Sequence, residues 1–233
     1  MTWKQLFTSS VGKKLIMGFT GVFLILFLIV HVGLNACIWA NDDGVMFNKA
    51  AHFMGETVVP RILEIGLFLG IILHIIQGMT LEIQNKKKRS IGYQIPLGNR
   101  GSKWYSRSMG LLGTLILLFL IMHIYHFWTP SRLGGIGNIH ELGVVNYNGK
   151  EYLNLYAEMV TVFQSLVIVV LYVLGCISLG YHLMHGFHSA FRTLGLHNQR
   201  YVRIVRTCGV AFSIIVPFAF AMMPVSVYLG WVS

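Results

Sequence analysis

Five long apolar runs, separated by short polar stretches, constrain this chain more than any other feature. They cover roughly Leu15 to Ala40, Val58 to Ile83, Met109 to Thr129, Leu155 to Phe191 and Val205 to Trp231. A helix of about 20 apolar residues crosses a bilayer, and in lipid a helix satisfies its own backbone groups. The expected fold is therefore all-α, an integral membrane five-helix bundle. Of the 233 residues, 55% are hydrophobic and 11% charged, whereas soluble domains are about a quarter charged. Five spans with modest loops use up the length, so residues 1–233 read as one transmembrane domain with no room for a soluble catalytic domain. The fourth run exceeds what a bilayer needs and is expected to emerge from it. Pro217 and Pro224 should kink the fifth, which suits a peripheral helix.

The net charge of +10 does not point to nucleic acid, because the basic residues bracket apolar spans and form no stripe of their own. With the N-terminus inside, fourteen fall on the inner side: Lys4, Lys13, Lys14, Lys86, Lys87, Lys88, Arg89, Arg100, Lys103, Arg107, Arg192, Arg200, Arg203 and Arg206. Four fall outside: Lys49, Arg61, Arg132 and Lys150. This bias places the N-terminus in the cytoplasm. Trp39, Trp128 and Trp231 then mark the outer interface and Trp3 and Trp104 the inner. No small-residue cleavage signal follows the first run, so it is read as a retained span. Cys37, Cys176 and Cys208 stand singly within apolar segments, with no disulfide framework and no CxxC or CxxCH motif. The loop around residues 86–106, rich in Gly, Pro and basic residues, is a polar turn region where a cytoplasmic partner can dock.

The chemistry lies in the ten histidines. His52, His140 and His197 fall in predicted loops and are set aside as solvated. An ionisable residue within a bilayer is costly and is a functional candidate by default. His31 lies 17 residues past Lys14 and His123 lies 16 past Arg107, so both sit about 25 Å from the inner face. His74 precedes Lys86 by 12 residues and His182 precedes Arg192 by 10, a depth of about 15–18 Å. The four make two level pairs, each joining two spans that run in the same direction. An interhelical hydrogen bond is the plain alternative for any single membrane histidine. Matched depth across four helices favours two stacked b haems in a four-helix core, each with two axial imidazoles. Gly18, Gly21, Gly33, Gly70, Gly78, Gly113, Gly175 and Gly186 lie within a few turns of the histidines, where a missing side chain admits a planar cofactor. His126, His185 and His188 are competitors. His126 and His188 are expected to meet water, headgroups or haem propionates, and His182 is preferred to His185 because its depth matches His74 more closely.

No P-loop, GxGxxG or nucleophile elbow is present, so a soluble substrate needs a partner subunit and the other end of the relay needs a diffusible carrier such as quinone. The segments Ser9 to Asn35, Leu63 to Leu81, Ser108 to Pro130 and HLMHGFHSAFRTLG (His182 to Gly195) together resemble the cytochrome b membrane anchor of succinate dehydrogenase and fumarate reductase, in its five-span dihaem form. In that family the ligand histidine is followed four residues later by glycine, as His182 is by Gly186, and another precedes a proline by seven, as His123 precedes Pro130.

The resemblance implies an electron-transfer subunit of a succinate:quinone oxidoreductase in the bacterial inner membrane. It would carry two haem b, bind flavoprotein and iron–sulfur subunits on the cytoplasmic face and exchange electrons with menaquinone. A dimer of the whole complex follows by family analogy. Lys103, Trp104, Arg107 and Arg192 are candidates for inner-face or haem-propionate contacts; Thr193 stands where some members carry a propionate lysine. Glu56, Asn35 and His126 are the quinone candidates, and Glu64 reads equally as an acid near the outer quinone site or as an interfacial partner of Arg61 at i,i+3. A dihaem quinol-oxidising subunit of nitrate reductase or hydrogenase type stays open as an alternative, as does a transporter using membrane histidines.

Overall fold

The structure, a computed structural model, describes residues 2, 7–88, 103–195 and 198–232. Trp3, Lys4, Arg89, Arg100, His197 and most of the loop before Lys103 lie outside the described residues, as does the side chain of Arg200. Among the described residues five helices are long and apolar enough to cross a membrane: Ser10–Ala40, Val58–Lys87, Met109–Leu133, Leu166–Thr193 and Tyr201–Tyr228. The fold is all-α apart from one small hairpin.

Helix α1, Ser10–Asn35, starts where the Ser9 hydroxyl accepts the Gly12 N–H at 3.0 Å. It tightens into a 3₁₀ turn over Ala36–Ala40, and left-handed Asn41 (φ 52°) ends it. A short helix absent from the sequence expectation, α2 (Val45–Glu56), follows, its first turn capped by Asp42 Oδ2 on Met46 N at 2.9 Å. Extended Thr57 separates it from α3, Val58–Lys88, whose Pro60 sits in the first turn, where a missing N–H costs nothing. Helix α4, Met109–His123, runs into a π-turn over Ile124–Trp128. Pro130 cannot donate to the carbonyl four residues back, and Thr129 N bonds instead to Ile124 O.

The expected fourth span, Leu155 to Phe191, is two helices: α5, Leu155–Val162, and α6, Leu166–Thr193. A single helix of that length would run about 56 Å, against about 30 Å of hydrocarbon. The break at residues 163–165 coincides with Gln164 and Ser165 and turns Phe163 inward, 3% exposed. Helix α7, Gln199–Tyr228, contains both Pro217 and Pro224. The region before α5 forms an antiparallel hairpin, β1 (Val144–Tyr147) with β2 (Lys150–Leu153), in register Val144↔Leu153. Its Asn148-Gly149 turn has φ of 55° and 81°, the positive values a two-residue type I′ turn demands.

The chain forms two compact units. One comprises Met1–Phe27, Gly66–Thr114 and Ser178–Ile214. Its helices approach at small residues: a Cβ on Gly70 would stand 3.1 Å from Phe23, one on Gly78 3.2 Å from Met17, and one on Gly18 3.3 Å from Thr193. At these glycines and at Gly175, over Phe119 in the other unit, a side chain from another helix packs against the backbone. The second unit comprises Leu28–Ile65, Leu115–Ile177 and Ile215–Ser233. Its core joins Ile38, Phe47, Met159, Phe163, Val169, Tyr172 and Met223.

Candidate functional site

Each unit brings two of the four sequence-selected histidines together. In the first, His74 on α3 and His182 on α6 stand with ring centroids 6.2 Å apart and planes at 64°. Thr20, on α1, donates its hydroxyl hydrogen to Ile16 O at 2.8 Å, and its Oγ1 lies 3.1 Å from His74 Nδ1. With that hydrogen committed to the helix carbonyl, Oγ1 accepts from Nδ1–H, so His74 Nε2 keeps its lone pair. Glycines leave room around the pair: a Cβ on Gly21 would stand 3.8 Å from His74 Cε1, and Cβ atoms on Gly113 and Gly186 would stand 4.0 Å from the His182 ring. His182 Nδ1 is buried and has no hydrogen-bond partner.

In the second unit, His31 on α1 and His123 at the end of α4 have centroids 5.8 Å apart and planes at 89°. Phe119 stacks on His123 at 5.6 Å, with Phe127 and Tyr172 at 5.4 and 6.1 Å. Phe220 of α7 lies 5.4 Å from His31, so the fifth span, expected to be peripheral, walls this pair. Asn35 Nδ2 donates to His31 O at 2.8 Å and lies 3.3 Å from His31 Nδ1. His123 Nδ1 is buried without a partner.

Among the described residues no group of three or more His, Cys, Asp or Glu side chains gathers. A bare metal ion such as zinc usually takes three or four protein ligands. Two imidazoles suit iron that arrives in its own macrocycle and needs only axial ligands. Each pair presents two imidazoles from separate helices, with ring centroids 5.8 and 6.2 Å apart, that would hold such an iron between them. Ring contacts without metal span a similar range of distances. What favours the ligand reading is the donor set: each pair brings together two imidazoles from separate helices, with no third ligating side chain gathered at either among the described residues. The two pairs fit axial ligation.

The remaining candidates fall as follows. His126 Nδ1 meets the Tyr172 hydroxyl at 2.9 Å with the rings stacked. Glu56 is the exposed last residue of α2, the end where the helix dipole disfavours an acid, and stands two residues before the spanning helix α3. Glu64 pairs with Arg132, not Arg61; Arg132 Nε and Nη2 reach its two oxygens at 3.2 and 3.1 Å, and Trp128 Nε1 also donates to it. Lys103, Trp104, Arg107 and Arg192 are exposed in the unit that holds His74 and His182, with Trp104 edge-on to Tyr181 at 5.5 Å. His185 and His188 are half-buried on α6. His52, expected in a loop, lies in α2 against Tyr152 at 4.8 Å, whereas His140 is exposed in a loop as expected and there meets Glu158 at 2.9 Å.

Thr20, Phe119, Tyr172 and Phe220 escaped the sequence reading. Thr20 carried a usable signal, a hydroxyl in the middle of an apolar helix; the aromatic residues look like any other apolar residue. No known protein family, curated protein or solved structure matches the chain.

Proposed function

We propose that this chain is a dihaem cytochrome b, the membrane anchor of a succinate dehydrogenase or fumarate reductase, carrying electrons between an iron–sulfur subunit and membrane menaquinone. The observation that supports it is the pairing of histidines from separate helices, at 5.8 and 6.2 Å, in two places. His31 with His123, and His74 with His182, would each hold one haem b. Bound there, the iron supplies a one-electron relay across an apolar interior. Thr20 fixes the His74 tautomer so that Nε2 faces its task unprotonated. Asn35 restrains the His31 side of its pair, and Phe119, Phe127 and Phe220 keep water from it.

Quinone reduction takes up protons, which calls for a titratable group in reach of water. Glu56, exposed and with no hydrogen bond or ion pair among the described residues, is first choice, with Asn35 and His126 near the His31–His123 pair behind it. The basic-residue bias supports placing the N-terminus in the cytoplasm, and the family resemblance supports a bacterial inner membrane. The flavoprotein and iron–sulfur subunits would dock on that side, near Lys86, Lys87, Lys103 and Arg107.

The test is the absorption spectrum of the purified chain with haem quantified. Two haem b per chain are expected. His74→Ala or His182→Ala should remove one component, and His31→Ala or His123→Ala the other. A colourless chain overturns the reading, and a shared loss in His31 and His74 variants overturns the pairing. Co-purification of a flavoprotein supports the succinate or fumarate assignment; a molybdenum or nickel partner replaces it with the nitrate reductase or hydrogenase type.

A further inference from the structure

The 17 residues from Asn41 to Thr57 join two membrane-crossing helices and contain α2. A connection so short, tied at both ends to spans, runs along the bilayer surface. One face of α2 is fixed to the protein. Phe47 and Gly55 are buried there, and Asn48 is fully buried: its Nδ2 donates to Tyr147 Oη at 3.0 Å and Asn154 Oδ1 at 3.1 Å, while its Oδ1 accepts from Tyr156 N at 2.9 Å. At the far end Gly55 lies beneath the Arg132 guanidinium, where a Cβ would come within 2.9 Å of Nη1. Arg132 in turn is held by Glu64 on α3.

The other face holds Met46, Lys49 and Phe53, spaced three and four residues apart on one stripe. Met46 is 52% and Phe53 57% exposed. The stripe passes exposed Glu56, three residues beyond Phe53, and then Thr57, before it reaches Val58, Val59 and Ile62, exposed apolar residues of the spanning helix α3. Two exposed apolar side chains on a helix tied at both ends to spans match a helix lying in the interface plane with those side chains in the acyl boundary, while the Lys49 ammonium between them lies over the Tyr147 ring, 5.9 Å from its centroid.

We infer that α2 is an interfacial helix whose Met46 and Phe53 insert into the lipid at the headgroup–acyl boundary, at a depth set by Asn48 and Gly55. The occupant of this face is the bilayer, because the face is continuous with the lipid-facing side of α3. This inference is independent of haem binding.

The test uses the full chain in phospholipid vesicles, with Cys37, Cys176 and Cys208 replaced by Ala and a spin label on Phe53→Cys, Met46→Cys or, as an aqueous control, Glu151→Cys. Relaxation by oxygen should exceed that by a water-soluble nickel chelate at positions 46 and 53, with the reverse at 151. A nickel response at 46 and 53 equal to that at 151 overturns the inference, since the face is then in water. Poor access to both reagents also overturns it and makes a protein partner the occupant. The two labelled positions are independent, so failure of one variant to fold leaves the other decisive.

Discussion

Thr20→Val isolates one hydroxyl at the His74–His182 pair. Valine keeps the shape, and Thr20 is only 4% exposed, so the change creates neither a cavity nor a new surface. The bond to Ile16 O is lost, but such back-bonding contributes little to a helix. The substantive loss is the acceptor for His74 Nδ1–H at 3.1 Å. Leaving that donor buried and unpaired costs about 1–3 kcal/mol, which converts to a 5- to 140-fold weaker hold by His74 at about 1.4 kcal/mol per decade. Losses of about 10- to 100-fold are usual when the hydrogen-bond partner of a ligating histidine is removed. If the proposed haem is bound there, its midpoint potential should rise as the imidazole becomes a poorer electron donor, by at most about 59 mV for each 1.4 kcal/mol of difference between oxidation states. Haem transfer to an acceptor apoprotein and a redox titration measure both quantities. One component should leave faster and titrate higher while the other is unmoved, and Thr20→Ser should restore the parent values. Unchanged transfer and potential, or a change confined to the component lost in the His31 variant, refutes the reasoning.

Gly175→Ala would put a Cβ 2.5 Å from Phe119, whose ring stacks on His123; the overpacking should cost about 1–3 kcal/mol, seen as a lower Tm with disturbance of the His31–His123 component first. Arg132→Leu leaves the Glu64 carboxylate, 19% exposed, without its bidentate partner and should lower stability by about 3 kcal/mol; Glu64→Gln added to it should recover part of the loss in thermal unfolding. Asn48→Ala removes three hydrogen bonds at a fully buried position and should cost about 3 kcal/mol or more, with faster hydrogen exchange in α2 and the hairpin. Glu56→Gln should abolish quinone-linked turnover while haem content and succinate oxidation with a soluble dye stay intact; normal quinone turnover removes Glu56 from the site.

The amino-acid sequence by itself determined the five crossings. In lipid a backbone must satisfy itself, so length and apolarity of a segment suffice to specify a helix, and no distant contact is needed. It also selected four histidines by depth, because rise per residue is constant along a helix, and His31 with His123 and His74 with His182 are the rings that stand together. What it left open depends on neighbours far away in the chain. Glu64 has Arg61 within one helical turn, yet its partner is Arg132, 68 residues on, whose position is set by the turn after the π-bulge. The run from Leu155 carries just Gln164 and Ser165 as a local interruption, and the break there is accompanied by the packing of Phe163 against Tyr172 and Phe127. Helix α2 is too short and mixed to declare itself and is held by Asn48 reaching side chains and backbone about 100 residues away. Phe220 became a wall of the His31 pair for the same reason: which of many equivalent apolar side chains meets a given histidine is decided by helix packing, and local pattern carries no record of it.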